Sequence, residues 1–191
     1  AGVGTDNIDK TAAKELGIVV ENTPFGNTNA AAEHTLTMMM MLAKHIIHAN
    51  ASMKNCDWDR SFKSTELKGK ILGLIGFGNV GKKVARVAQA LEMTVNVYDP
   101  FVEENVLTDL GVNKVEINEI LVESDFISPH VPLTDKTRDM ISIKEFEMMK
   151  DGVKIINVAR GGVINEEALL EAIINGKVSA AALDVYVSEP A

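Results

Sequence analysis

Apolar residues along this chain follow two rhythms. Short unbroken runs such as Ile71-Leu72-Gly73-Leu74-Ile75 are too brief for helices and read as buried strands, whereas Val80, Val84, Val87, Ala88 and Leu91 recur three and four apart and read as one face of a helix. Taken in order, the pattern predicts a short helix over 8–16, capped by Asp6 or Asn7 and stopped by Gly17, then a strand Ile18-Val19-Val20 and a turn at Asn22-Thr23-Pro24. A long apolar helix follows over 28–52, carrying Ala31, Leu36, Met39, Met40, Ala43, Ile46 and Ile47, so it needs cover on more than one side. Residues 55–70, with Trp58, form a polar surface loop.

From Ile71 onward strand and helix alternate. Strands are predicted at Thr94-Val95-Asn96-Val97-Tyr98, at Phe126-Ile127-Ser128 closed by Pro129, at Lys154-Ile155-Ile156-Asn157-Val158 and at Ala180-Ala181-Ala182-Leu183. Helices are predicted over 103–110, over 117–123, over 143–149 with Ser142 as cap and Glu145 at the third position, and over 166–174 with Asn165 as cap and Gly176 as stop. Such alternation is the signature of an α/β fold with a doubly wound parallel sheet, whose ligands bind just past the carboxyl ends of the strands.

The turn after the first strand of that series reads Gly76-Phe77-Gly78-Asn79-Val80-Gly81. In a strand–turn–helix context Gly76 permits the tight turn, Gly78 lets the backbone approach a pyrophosphate, and Gly81 lets the helix pack closely on the strand. The phosphates would sit at the helix N-terminus, where unpaired N–H groups and the positive dipole end favour an anion. Asp99 ends the next strand 18 residues after Gly81, where a carboxylate reaches the adenosine ribose and disfavours a 2′-phosphate, which selects NAD over NADP. The glycine spacing alone is shared with turns that serve only helix packing, and the third glycine separates it from a methyltransferase-like nucleoside site.

Composition narrows the classes. The 191 residues suffice for one well-buried domain plus at most a small second one, and 46% hydrophobic with 24% charged residues is ordinary for a globular protein. A net charge of -8 gives no electrostatic reason to expect nucleic acid or an anionic membrane as partner. The apolar run 35–43 is too short to span a bilayer. One cysteine, Cys56, excludes a disulfide framework and suits a reducing, cytoplasmic setting. His45 and His48 stand three apart without a third ligand at metal-binding spacing, so no metal is expected. The abrupt apolar start without methionine reads as the interior of a longer protein.

Polar residues past the later strands carry the candidate chemistry. Arg160, flanked by Gly161 and Gly162, offers a planar fork suited to a carboxylate; the alternative is a structural ion pair at the sheet edge. Asp184 and Glu189 follow the last strand, where a carboxylate holds the nicotinamide amide, orients a histidine, or merely caps a solvated loop. His130 either exchanges protons or lines the cofactor loop.

A family becomes visible in these residues. The chain resembles the D-isomer-specific 2-hydroxyacid dehydrogenases along essentially its whole length, through Gly2-Val3-Gly4-Thr5-Asp6-Asn7-Ile8-Asp9, Asn22-Thr23-Pro24 to Gly26-Asn27-Thr28, Ala31-Ala32-Glu33-His34-Thr35, the glycine turn, Tyr98-Asp99-Pro100, His130-Val131-Pro132-Leu133-Thr134, Asn157-Val158-Ala159-Arg160-Gly161-Gly162, and Leu183-Asp184-Val185 with Glu189-Pro190. The first two motifs favour the branch that oxidises 3-phosphoglycerate.

The resemblance implies a two-domain, NAD-dependent oxidoreductase with a small 2-hydroxy acid as substrate, assembled as a homodimer or homotetramer. Residues 1–24 would be a remnant of the substrate domain, and 25–191 the Rossmann-type NAD-binding domain, with 28–52 as hinge and dimer helix. It implies catalytic roles for Arg160, gripping the substrate carboxylate, and Glu189, pairing with the acid/base histidine. Cofactor contacts are implied at Val3, Asn79, Val80, Asp99, Pro100, His130, Val131, Pro132, Val158, Ala159, Arg160 and Asp184 beside the three glycines. Two departures stand out: the family usually has arginine where Asn79 stands, and its acid/base histidine lies beyond Glu189-Pro190, so His130 is not assigned the proton transfer and this chain by itself is expected to turn over little. A sister enzyme acting on glyoxylate, hydroxypyruvate or D-lactate, and an NAD-sensing binding module, share the same residues.

Overall fold

In the computed structural model, residues 2–5 and 8–190 are described. The apolar runs pair side by side: β1 (Ile71–Ile75), β2 (Thr94–Tyr98), β3 (Asn113–Lys114), β4 (Phe126–Pro129), β5 (Val153–Asn157) and β6 (Val178–Leu183) make one sheet in the order β3-β2-β1-β4-β5-β6. Every pairing is parallel. Parallel neighbours need crossovers, which are built on α4 (Asn79–Ala90), α5 (Glu104–Asp109), α6 (Ile117–Glu123), α7 (Ile143–Met148) and α8 (Glu166–Ile174). Strand order reverses between β1 and β4, and a doubly wound sheet opens its ligand crevice at such a point.

Alternation along the strands divides the core into two layers. Leu72 and Leu74 of β1, Phe126 of β4 and Ile156 of β5 pack with Val84, Ala85 and Ala88 of α4 and with Met39 and Ala43 of α2 (Thr28–Lys44). Ile75, Ile127 and Ile155 face the other way, onto Ile120 and Leu121 of α6, Phe146 of α7 and Leu169 of α8. Each such aliphatic side chain, fully withdrawn from water, contributes roughly 1.5–3 kcal/mol. A side chain at Gly73 would run into Ser124 and Ile120, so this glycine admits the end of α6 against the sheet. The Ser124 hydroxyl buried there has no hydrogen-bond partner among the described residues.

Some expected elements take a different form. The long helix over 28–52 is two helices, α2 and α3 (Ile46–Lys54), because His45 between them adopts the left-handed conformation at φ 52° and its N–H closes α2 onto the Met41 carbonyl. The first helix, α1 (Lys10–Glu15), starts later than expected and is capped by Asp9, whose carboxylate accepts from the N–H groups of Thr11 and Ala12; the predicted caps Asp6 and Asn7 lie outside the described residues. Ile18-Val19-Val20 is not a strand: Ile18 and Val19 are exposed, and no strand lies beside them among the described residues to accept their ladder bonds. An edge strand, β3, occupies two exposed residues where none was expected.

Candidate cofactor-binding site

The glycine turn leaves β1 at the crevice, and its three glycines answer to different constraints. Gly76 has φ +96°, its N–H donates to the Tyr98 carbonyl (2.8 Å), and a Cβ there would stand 2.6 Å from the His130 carbonyl oxygen. A Cβ at Gly81 would stand 2.7 Å from the Gly76 carbonyl oxygen. Packing alone therefore demands both. Gly78 is unlike them: its φ of -73° suits any residue, and a Cβ there would meet nothing within 4 Å. The chain's own packing thus leaves the space in front of Gly78 open. Gly78 also caps α4 without a side-chain bond, and its carbonyl already accepts from Lys82 (3.0 Å), so the N–H groups of Asn79, Val80 and Gly81 have no partner within the helix. A bare helix N-terminus beside an open glycine fits a pyrophosphate.

Asp99 stands at the end of β2 with both carboxylate oxygens engaged. Oδ2 accepts from the Phe77 N–H in the glycine turn (2.7 Å) and Oδ1 from the Phe101 N–H (2.8 Å), which folds Pro100 and the exposed Phe101 into an Asx-type turn. The carboxylate thus ties the glycine turn to the neighbouring strand end. Asn79 itself carries no charge, but the groove of about 480 Å³ beside it is lined by Lys82, Lys83 and Arg86 of α4 together with Phe25, Thr28 and Asn29. Cationic side chains thus stand on the same helix as the missing arginine. Val80 turns its side chain onto the core.

Across the crevice, β4 delivers His130. Its N–H donates to the Ile75 carbonyl (2.7 Å) and its ring Nε2 bonds the buried Ser128 hydroxyl (3.1 Å). Burial lowers the His130 pKa to about 4, so the ring is neutral at physiological pH and a poor proton acceptor. Val131 lies against the position a Gly76 side chain would take, and the Pro132 carbonyl accepts from the Thr137 hydroxyl (2.6 Å), which holds the loop that follows.

The loop after β5 is templated by a residue that sequence reasoning passed over. Asn157 is buried; its Oδ1 accepts from the Ala159 N–H (3.0 Å), its Nδ2 donates to the Arg160 carbonyl (3.0 Å), and its backbone carbonyl accepts from the Asp184 N–H (3.0 Å). An asparagine closing an apolar strand was the available signal, since its amide mimics the backbone in tight turns. Val158 and Ala159 are half-buried in this loop, and Arg160 donates from Nη1 to the Ala159 carbonyl (2.7 Å). A side chain at Gly161 would collide with the Tyr186 carbonyl, so the Arg160 loop and the segment after β6 lie backbone to backbone. In that segment Glu189 accepts from the Tyr186 N–H (3.0 Å), and Glu166 at the start of α8 accepts from the Val187 N–H (2.7 Å).

Asp184 carries a contact with no local signal in the sequence. Its Oδ1 lies 3.2 Å from Nε2 of His34 on α2, a residue 150 positions earlier. Val3 is tied to the Asn22 side chain through its carbonyl (2.8 Å), and among the described residues no hydrogen bond joins it to the glycine turn. A wider groove of about 740 Å³, lined by Thr5, Lys10, Lys14 and residues 17–22, takes in no part of that turn or of the Arg160 loop. His48 bonds Asp59 (2.8 Å), which holds that carboxyl down at about 2, and His45 contacts the Lys63 carbonyl, so the two imidazoles point to separate partners. Among the described residues no three His, Cys, Asp or Glu side chains are grouped to hold a metal ion, and no helix is long and apolar enough to cross a membrane.

Residues 36–191 match the model of the D-isomer specific 2-hydroxyacid dehydrogenase NAD binding domain. The chain belongs to that family. It is 50% identical over all 191 residues to a D-3-phosphoglycerate dehydrogenase of Archaeoglobus fulgidus, covering 36% of that protein, and 50% identical to a hydroxypyruvate reductase of Thermotoga maritima, covering 61% of it. The chain therefore spans about a third to three-fifths of the length of these relatives. Its fold superposes on a glyoxylate reductase from Paecilomyes thermophila with a TM-score of 0.91 at 37% identity, over the whole of this chain and 58% of that one. The sheet is thus that of a Rossmann-type NAD-binding domain, and NAD is the nucleotide this family domain binds.

Proposed function

We propose that this chain is the cofactor-binding part of an NAD-dependent oxidoreductase that converts 3-phospho-D-glycerate to 3-phosphohydroxypyruvate, the first committed oxidation toward serine. The observation that carries the cofactor half of this reading is the open face of Gly78, a glycine that the chain's own packing does not require. NAD, when bound, supplies the hydride acceptor at its nicotinamide ring. The chain's residues supply the rest of the arrangement. The N–H groups at the start of α4 hold the pyrophosphate, Asp99 holds the ribose diol, Pro100, Val131, Pro132, Val158 and Ala159 line the nucleoside and nicotinamide walls, and Asp184 accepts from the carboxamide. Arg160 binds the substrate carboxylate and stabilises charge on the reacting oxygen, and Glu189 pairs with the histidine that takes the hydroxyl proton as C2–O becomes a carbonyl. His130, neutral and turned onto Ser128, lines the cofactor loop.

The substrate is the finer part of the proposal. Equal identity to a phosphoglycerate dehydrogenase and to a hydroxypyruvate reductase supports hydroxypyruvate as the second reading. Residues 1–24 are proposed to belong to the substrate domain, and the exposed Ile46, Ile47 and Met53 of α3 to a homodimer interface, in a cytoplasmic enzyme. A panel of 3-phosphoglycerate, hydroxypyruvate, glyoxylate and D-lactate on the full-length parent protein separates these readings. Arg160→Lys should lower kcat/KM by about 10²-fold or more, as loss of a transition-state hydrogen-bond donor does elsewhere. A loss under threefold would remove Arg160 from the mechanism.

A further inference from the structure

We propose that His34 is a positioning residue for the nicotinamide end of the cofactor: from α2 it holds one oxygen of Asp184 and thereby presents the other to the carboxamide. This rests on the reading of Asp184 as the carboxamide acceptor. Asp184 follows β6 with its N–H fixed to the Asn157 carbonyl (3.0 Å), so its backbone is anchored. Its side chain is not. It is 49% exposed, so packing does not choose its rotamer, and its one side-chain partner among the described residues is His34 Nε2, 3.2 Å from Oδ1.

His34 is a suitable anchor. It lies in the second turn of α2, a helix of 17 residues, next to the buried Thr35 and two residues past the buried Ala32. The imidazole therefore projects from a rigid base, on the face by which α2 reaches the end of β6. With Nε2–H donated to Oδ1, the carboxylate plane is set and Oδ2 keeps its lone pairs. A primary carboxamide presents an N–H₂ donor and needs such an acceptor, already oriented. Ordering one side chain in advance is worth about three- to tenfold in affinity. A polar contact between two half-exposed groups adds little to folding, whether or not the imidazole is charged, so the consequence of this contact falls on the ligand.

The test uses the full-length parent enzyme and three probes: NADH, ADP-ribose, which lacks the nicotinamide, and reduced 3-acetylpyridine adenine dinucleotide, in which a methyl ketone replaces the carboxamide. His34→Leu should weaken NADH about three- to tenfold while leaving ADP-ribose and the acetylpyridine analogue within twofold of wild type. His34→Gln, whose amide N–H₂ can reach Oδ1, should restore most of the NADH affinity. The proposal is overturned if His34→Leu leaves NADH unchanged, or weakens ADP-ribose in equal measure. Asp184→Ala separates the layers: if it leaves the NADH to ADP-ribose ratio at the wild-type value, the carboxamide reading itself falls, and if it collapses that ratio while His34→Leu does not, only the role of His34 falls.

Discussion

Replacing Gly76 and Gly78 by alanine, one at a time, separates a glycine the fold needs from one the ligand needs. At Gly76 the backbone has φ +96°, where an L side chain costs roughly 1–2 kcal/mol. The new Cβ would also sit 2.6 Å from the His130 carbonyl oxygen, a backbone atom that must move, adding about 1–3 kcal/mol. Gly76→Ala should therefore lower stability by about 2–5 kcal/mol, a large part of what a domain has. At Gly78 the backbone is already allowed for alanine and the space is empty. Loss of a tolerated helix cap and the lower entropy of the unfolded alanine chain oppose each other at about 0.5–1 kcal/mol each, so stability should change by less than about 0.5 kcal/mol. NADH affinity should nevertheless fall at least about tenfold, or about 1.4 kcal/mol. Urea unfolding gives the first quantity and calorimetric titration with NADH the second. Wild-type NADH binding by a folded Gly78→Ala protein would refute the pyrophosphate reading of the turn.

Asn157→Ala removes the two side-chain bonds that shape the Arg160 loop, so unfolding free energy should drop by about 1–3 kcal/mol and KM for the hydroxy acid should rise in the parent enzyme; an unchanged KM would show that Arg160 is held by other means. His130 is held near pKa 4 against 6.5 by burial, so the unfolded chain binds the extra proton between these values. The stability owed to its neutral ring is accordingly present above pH 6.5 and lost as pH falls toward 4, by at most about 3 kcal/mol. Urea midpoints over that window should slope less in His130→Gln than in wild type, and parallel slopes would contradict the burial argument. Ser124→Ala deletes a buried hydroxyl that has no partner among the described residues and should raise stability by about 1 kcal/mol; a loss of that size would mean the hydroxyl is satisfied after all.

How much was legible followed from how local the cause was. The helices over 117–123 and 166–174 are found with their expected bounds, since apolar spacing and cap residues lie within the segments themselves. Ser142 and Glu145 form the expected capping box, each bonding the other's N–H. The break at His45 was hidden because neither glycine nor asparagine marks it. The strand expected at Ile18-Val19-Val20 had the right residue types but no neighbouring strand, and the two-residue edge β3 is held by pairing with β2 rather than by its own composition. The places of the glycine turn between β1 and α4 and of Asp99 at the end of β2 were readable from spacing. The Asp184–His34 contact was not, because only the packing of α2 against the sheet brings the two together.

The bare backbone at Gly161 has a mechanical consequence. With the Tyr186 carbonyl seated where a side chain would be, the strip bearing Arg160 and the strip bearing Glu189 pack backbone against backbone, and Glu166 at the start of α8 accepts from the Val187 N–H of the second strip. A side chain at Gly161 would force these strips apart, so this glycine keeps the backbone that bears the arginine proposed to grip the substrate carboxylate against the backbone that leads to the carboxylate proposed to pair with the acid/base histidine.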